Sequence, residues 1–186
     1  MANTKILVPL AQGCEELEAI TITDLLARAG FEVVTAGLDD QPVKASRGMT
    51  LMPNTSMAKV MSDNFDLIVL PGGLPGADYL RDDANVQRKI KAMADEGKYV
   101  AAICASPKAL ASAGVLDNKS ATSYPGSLDG LNIDGLNYKV APVVIDDKIV
   151  TSRGPGTAMD FALTLIELLA GKAKRQEVEG PLLRPH

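Results

Sequence analysis

The chain has 186 residues, a formal net charge of −4 and 46% hydrophobic residues, and no composition shift or Ser/Pro-rich linker divides it, so one domain spanning residues 1–186 is expected. The acidic balance excludes the broad basic footprint of non-specific nucleic-acid binding, and the opening residues, with Lys5 before a short apolar run and then an acidic stretch, read as neither a signal sequence nor a membrane span. Two cysteines are too few for a disulfide framework or a four-thiolate zinc site, and the single histidine is the last residue, His186, so a reducing cytoplasm and no metal centre are expected.

Apolar, β-branched runs at Ile6–Leu10, Val33–Ala36, Leu67–Leu70, Tyr99–Ile103 and Val150–Ser152 read as strands. Between them, stretches of helical period fall at Glu15–Ala29, Ala84–Glu96, Ser106–Ala113 and Thr157–Ala170. Gly30, Gly97, Gly114 and Gly171 stand just past the ends of these four, where a left-handed residue closes a helix. The alternation predicts an α/β fold with a mainly parallel sheet covered by helices on both faces. Val140–Ile145 and Ile149–Ser152 add a short antiparallel hairpin.

In such a sheet the chemistry collects where loops leave the carboxyl ends of strands. Cys104 stands where the strand ending at Ile103 gives way to a helix with Pro107 in its first turn, a nucleophile-elbow arrangement. A helix N-terminus favours thiolate there, so Cys104 is expected to titrate below a free thiol. A free cysteine is more often a small buried hydrophobe, and position is what argues otherwise.

Glu15, Glu16 and Glu18 open the first helix. Acids there complement the helix dipole without any function, and for Glu16 that explanation suffices. Glu18, however, falls on the buried stripe of Ile22, Leu25 and Ala29, with Glu15 near it. A buried carboxyl needs a partner or a proton, and a protonated Glu18 donating to Cys104 supplies both. Leu17 and Ile20 give the same helix a second apolar face, either sandwiched within its own domain or packed on another chain, and with no evident use for it inside one domain a second copy of the chain is expected there.

Pro71-Gly72-Gly73 is either a plain tight turn or, facing Cys104, the source of a Gly73 N–H that joins the Ala105 N–H in an oxyanion hole. The segment Ser152-Arg153-Gly154-Pro155-Gly156-Thr157 ends a strand and opens the last helix. Arg28, Arg47 and Arg153 are either solvated surface cations or an anion-binding set.

The motifs GCEELE at 13–18, RAGFEV at 28–33, VLPGG at 69–73, AAICASP at 101–107 and TSRGPGT at 151–157, in this order, resemble the ThiJ/PfpI superfamily, in the branch of the Parkinson-disease-associated deglycases. The resemblance implies a flavodoxin-like sandwich, a homodimer, no cofactor, a reactive cysteine at Cys104 and a protonated glutamate at Glu18. Glu15 and Gly73 match further active-site positions. It also implies a glyoxalase or deglycase acting on methylglyoxal or early glycation adducts, with a redox-sensing stress protein or chaperone, Cys104 oxidised to sulfinate, as the alternative. Three departures bear on mechanism. Ala105 replaces the histidine of the peptidase branch, Tyr124 stands where relatives often carry histidine, and Cys14 brings a second thiol near the site. Tyr124 and Pro155 join the arginines as candidate substrate contacts.

Overall fold

The computed structural model describes residues 4–184, and His186 lies outside them. The expected runs are matched to within a residue by β1 Lys5–Leu10 and β2 Glu32–Gly37 and, after short pairings β3 Val43–Lys44, β4 Thr50–Leu51 and β5 Thr55–Ser56, by β6 Leu67–Leu70 and β7 Tyr99–Ile103. Two-residue strands β8 Ser120–Ala121 and β9 Asn137–Tyr138 precede the hairpin β10 Val143–Asp146 and β11 Ile149–Ser152. The main sheet runs β10-β11-β7-β6-β1-β2-β5, parallel except for β10 against β11. Its order about β1 is the flavodoxin-like one, and the reversal falls between β1 and β6.

Period-two burial explains the sandwich. Ile6, Val8 and Leu10 of β1 face one layer with Val69, Ala101 and Ile103, packed by Ile22, Leu26, Phe161 and Ile166. Leu7, Ile68, Leu70, Val100 and Ala102 face the other, packed by Leu80, Val86, Ile90 and Leu110. The helices are α1 Glu16–Arg28, α2 Gly76–Asp82, α3 Ala84–Asp95, α4 Pro107–Ser112 and α5 Ala158–Glu179. Helices α1 and α5 cover the first face, and α2 to α4 the second.

Three differences from the expected elements have physical causes. No helix was expected between the Pro71-Gly72-Gly73 turn and Ala84, yet α2 starts at Gly76, whose close approach to the backbone of Cys14 leaves no room for a side chain. Gly171 does end a helical stretch (φ 85°, ψ 169°), but helix resumes beyond it to Glu179. Residues 172–179 lack the apolar stripe that announced the first part, and ion pairs of Arg175 with Glu167 and Glu179 tie them down instead. Helix α4 is a residue shorter at each end than expected, with Ser106 as its N-cap.

Candidate active site

The loops after β1, β6 and β7 meet at the β1/β6 reversal. Cys104 follows β7 with φ 63°, a left-handed conformation that costs a non-glycine residue about 1–3 kcal/mol. Neighbouring backbone holds it there: its N–H donates to Ser152 O at 3.0 Å and its carbonyl accepts the Tyr124 N–H at 2.8 Å. The elbow expected from the sequence is present, and the strain is part of it.

Glu18 is fully buried on α1 and reaches the same point. Its Oε2 accepts the Gly72 N–H at 2.7 Å. A Cβ on Gly72 would lie 2.6 Å from Cys104 Cβ and 2.8 Å from Glu18 Oε2, so only glycine lets the three groups close together. The Gly73 and Ala105 N–H groups both donate to the Cys104 sulfur, which brings the two expected backbone donors onto one atom. Gly73 (φ 91°) also presses on the backbone of Cys14 and Glu15. Glu15 is the N-cap of α1. Its carboxylate accepts the Glu18 N–H at 2.9 Å, and its own N–H donates to Gly72 O at 2.8 Å.

Burial pushes the Glu18 carboxyl up to about 7, against the pull of the Gly72 N–H and of Cys104. The expected low thiol titration is not what this site produces. Burial, reinforced by the Glu18 charge beside it, pushes Cys104 up to about 12, and the Gly73 and Ala105 donors pull the other way without prevailing. A six-residue α4 starting beyond Ser106 adds little dipole. The two shifts describe one shared proton: while Glu18 is ionised the sulfur keeps its hydrogen, and a thiolate requires a protonated Glu18.

Outside this pair lies a cleft of about 390 Å³, bordered by Glu15, Arg47, Leu74, Tyr124, Ser127 and Pro155 as well as Cys104 itself. Arg47, Tyr124 and Pro155, expected as contact residues, therefore border the same cleft as Cys104. Arg28 does not: it sits at the exposed end of α1, paired with Asp24 at 2.6 Å, because helical spacing sets it against the residue four before it. Arg153 does not border the cleft either, and its Nη1 is buried without a partner among the described residues. The three arginines thus do not form one anion site.

Cys14 is buried and unbridged, and burial with the nearby acids pushes its thiol up to about 12. It stands in the same packed layer as Cys104 but does not border the cleft.

Glu16 corrects the sequence reading. Far from merely complementing a dipole, its buried carboxylate accepts the Arg47 N–H at 2.9 Å, the Ser46 hydroxyl at 3.2 Å and the Met49 N–H at 3.4 Å, holding the loop that presents Arg47. Burial acts to raise its titration, and these donors with its own N–H outweigh that and lower it. Gly72 and Ser106 were also not singled out. Gly72 was half visible in the PGG turn, and Ser106 had no signal beyond its place as a cap.

The DJ-1/PfpI family profile matches residues 4–168. Drosophila melanogaster protein dj-1beta is 46% identical over 95% of both chains, and its crystal structure superposes with a TM-score of 0.94 over 100% of both. Caenorhabditis elegans glutathione-independent glyoxalase DJR-1.2 is 35% identical over 95% of this chain and 94% of its own. Arabidopsis thaliana DJ-1 homolog B is 41% identical over the whole chain, which spans 43% of that longer relative. With a family match over most of its length, a neighbour of the same fold and the motif glycines, glutamate and cysteine drawn to one point, the chain belongs to the DJ-1/PfpI family.

Proposed function

We propose that the chain, as one domain over residues 1–186, is a cysteine-dependent glyoxalase or deglycase acting without cofactor on methylglyoxal or early glycation adducts, in the cytoplasm and as a homodimer. The observation that carries this reading is the convergence of Cys104 with Glu18 and two backbone donors on a cleft sized for a small carbonyl compound. The name of the nematode relative points the same way. Among the described residues no helix is long and apolar enough to cross a membrane.

The chemistry follows from the shared proton. Cys104 sulfur attacks the aldehyde carbon as its proton passes to Glu18, and the alkoxide takes that proton back, giving a hemithioacetal. Glu18, again a carboxylate, removes the hydrogen from the former aldehyde carbon to form an enediolate and returns that proton to the neighbouring carbon, while the proton of the hemithioacetal hydroxyl passes to the neighbouring oxygen. One carbon is oxidised and its neighbour reduced, so no external electron carrier is needed. The product is a lactoyl thioester, which water hydrolyses to lactate and the free thiol. Gly73 and Ala105 N–H groups stabilise negative charge at and beside sulfur, Glu15 braces Glu18, and Arg47, Tyr124 and Pro155 contact the substrate.

A second reading has its own support: the donors aimed at sulfur also suit a sulfinate, formed by two equivalents of peroxide, as in a redox sensor or chaperone. Lactate formation from methylglyoxal, measured by a lactate-specific assay, separates the two. The enzyme reading expects turnover that is absent in Cys104→Ser and reduced roughly 10²–10⁴-fold in Glu18→Gln. Turnover that survives Cys104→Ser overturns it.

A further inference from the structure

Ser106 is fully buried beside the elbow, and its position as N-cap of α4 offers it an ordinary task. It does not perform that task. Its backbone is already helical (φ −76°, ψ −16°), and its hydroxyl makes no bond to the first N–H groups of α4. The hydroxyl donates instead to Pro71 O at 2.5 Å, across 35 residues of chain.

That carbonyl belongs to the peptide group whose other end is the Gly72 N–H, the donor to Glu18 Oε2 at 2.7 Å. A hydrogen bond accepted by a peptide oxygen polarises the group and strengthens its N–H as a donor. The next peptide repeats the arrangement, with Gly72 O accepting the Glu15 N–H at 2.8 Å and the Gly73 N–H donating to Cys104 sulfur. Two successive peptide planes are thus held at their carbonyl ends and offer their N–H ends to the two partners of the working pair. The second plane is held by the cap of α1, and the first by Ser106.

Glu18 Oε1, by contrast, is buried with no hydrogen-bond partner among the described residues. An oxygen that already accepts an N–H is a poor seat for a proton, so the orientation of the Pro71–Gly72 plane decides which oxygen carries it.

We propose that Ser106 is a positioning residue for the Cys104–Glu18 pair, holding and polarising the Pro71–Gly72 peptide so that Oε2 of Glu18 is occupied and Oε1 is left to take and give the proton. The inference rests on the reading of Cys104 and Glu18 as that pair. It does not need the substrate to be a dicarbonyl.

The test is the pH profile of Cys104 alkylation by iodoacetamide, followed peptide by peptide by mass spectrometry because Cys14 is a second thiol. Weakening a donor to the Glu18 carboxylate favours its protonated form, beside which the thiolate forms more readily, so Ser106→Ala is expected to move the midpoint of the profile downward by about half a pH unit. Ser106→Thr, which keeps the hydroxyl, should restore it. In a Glu18→Gln background the Ser106→Ala change should leave the profile where it was. A purely structural serine would lower the melting temperature without moving the midpoint. An unmoved midpoint in folded Ser106→Ala, or an equal shift with Glu18→Gln, overturns the proposal. Should Ser106→Ala fail to fold, Ser106→Gly, which also removes the hydroxyl and adds no thiol, replaces it under the same criteria. Lactate formation is not part of this readout, so a failed proposal here and a failed glyoxalase reading give different results.

Discussion

Glu18 stores a conflict between burial and charge, and stability should record it. Its folded carboxyl titrates at about 7 against a reference of 4.5, so between those values the native state holds a proton that the unfolded chain has released. Stability therefore falls as pH rises through that window, by an amount on the order of 3 kcal/mol if Glu18 acts alone. Urea unfolding at pH 5 and pH 8 should show this loss in the wild type and a flatter response in Glu18→Gln, whose side chain stays neutral throughout. Residues of this kind were legible because two independent rules met on them: Glu18 is an acid on an apolar stripe, and Cys104 is a thiol at a strand-to-helix turn. Glu16 was not, since an acid in a first helical turn already has an explanation and its partners lie 30 or more residues away. The thiol's expected low titration failed for a related reason, because burial and a neighbouring carboxylate are tertiary facts that outweigh a local dipole.

Among the elements, the loop from Ala45 to Met49 is anchored to α1 through the Glu16 carboxylate, and this anchor sets where Arg47 meets the cleft. Glu16→Ala should lower the melting temperature and raise KM for methylglyoxal more than it lowers kcat, which steady-state kinetics on the folded variant would check. The sign with pH is opposite to that of Glu18: these hydrogen bonds require the carboxylate, whose titration is lowered, so their contribution is present above the ordinary carboxylate range and lost as pH falls through it. Long elements announced themselves by period and by closing glycines, all four of which do adopt positive φ. Short ones did not. Two-residue strands such as Thr50–Leu51 have no period to read, and the opening of α2 hides behind the glycines and proline that shape the turn before it.

For the whole molecule, Leu17 and Ile20 remain exposed on α1, 50% and 41% respectively, while the helix's other face is in the core. Ile20 borders a small groove with Leu51 and Met52, which widens the apolar area beyond one helix. Sedimentation at micromolar concentration is expected to find a dimer for the wild type and a monomer for Leu17→Glu. A wild-type monomer would remove the homodimer from the proposed function. The meeting of three loops at the β1/β6 reversal has a further consequence, in time and not in space. Gly72 and Glu18 are 54 residues apart in the chain, and Ser106 and Pro71 are 35, so no local segment can assemble the surroundings of Cys104. Until the central strands have paired, that sulfur is an ordinary thiol of an unfolded polypeptide, open to any electrophile. The dicarbonyls proposed as substrate for the folded protein are then poisons for the newborn one, and its speed of folding decides which of the two it meets first.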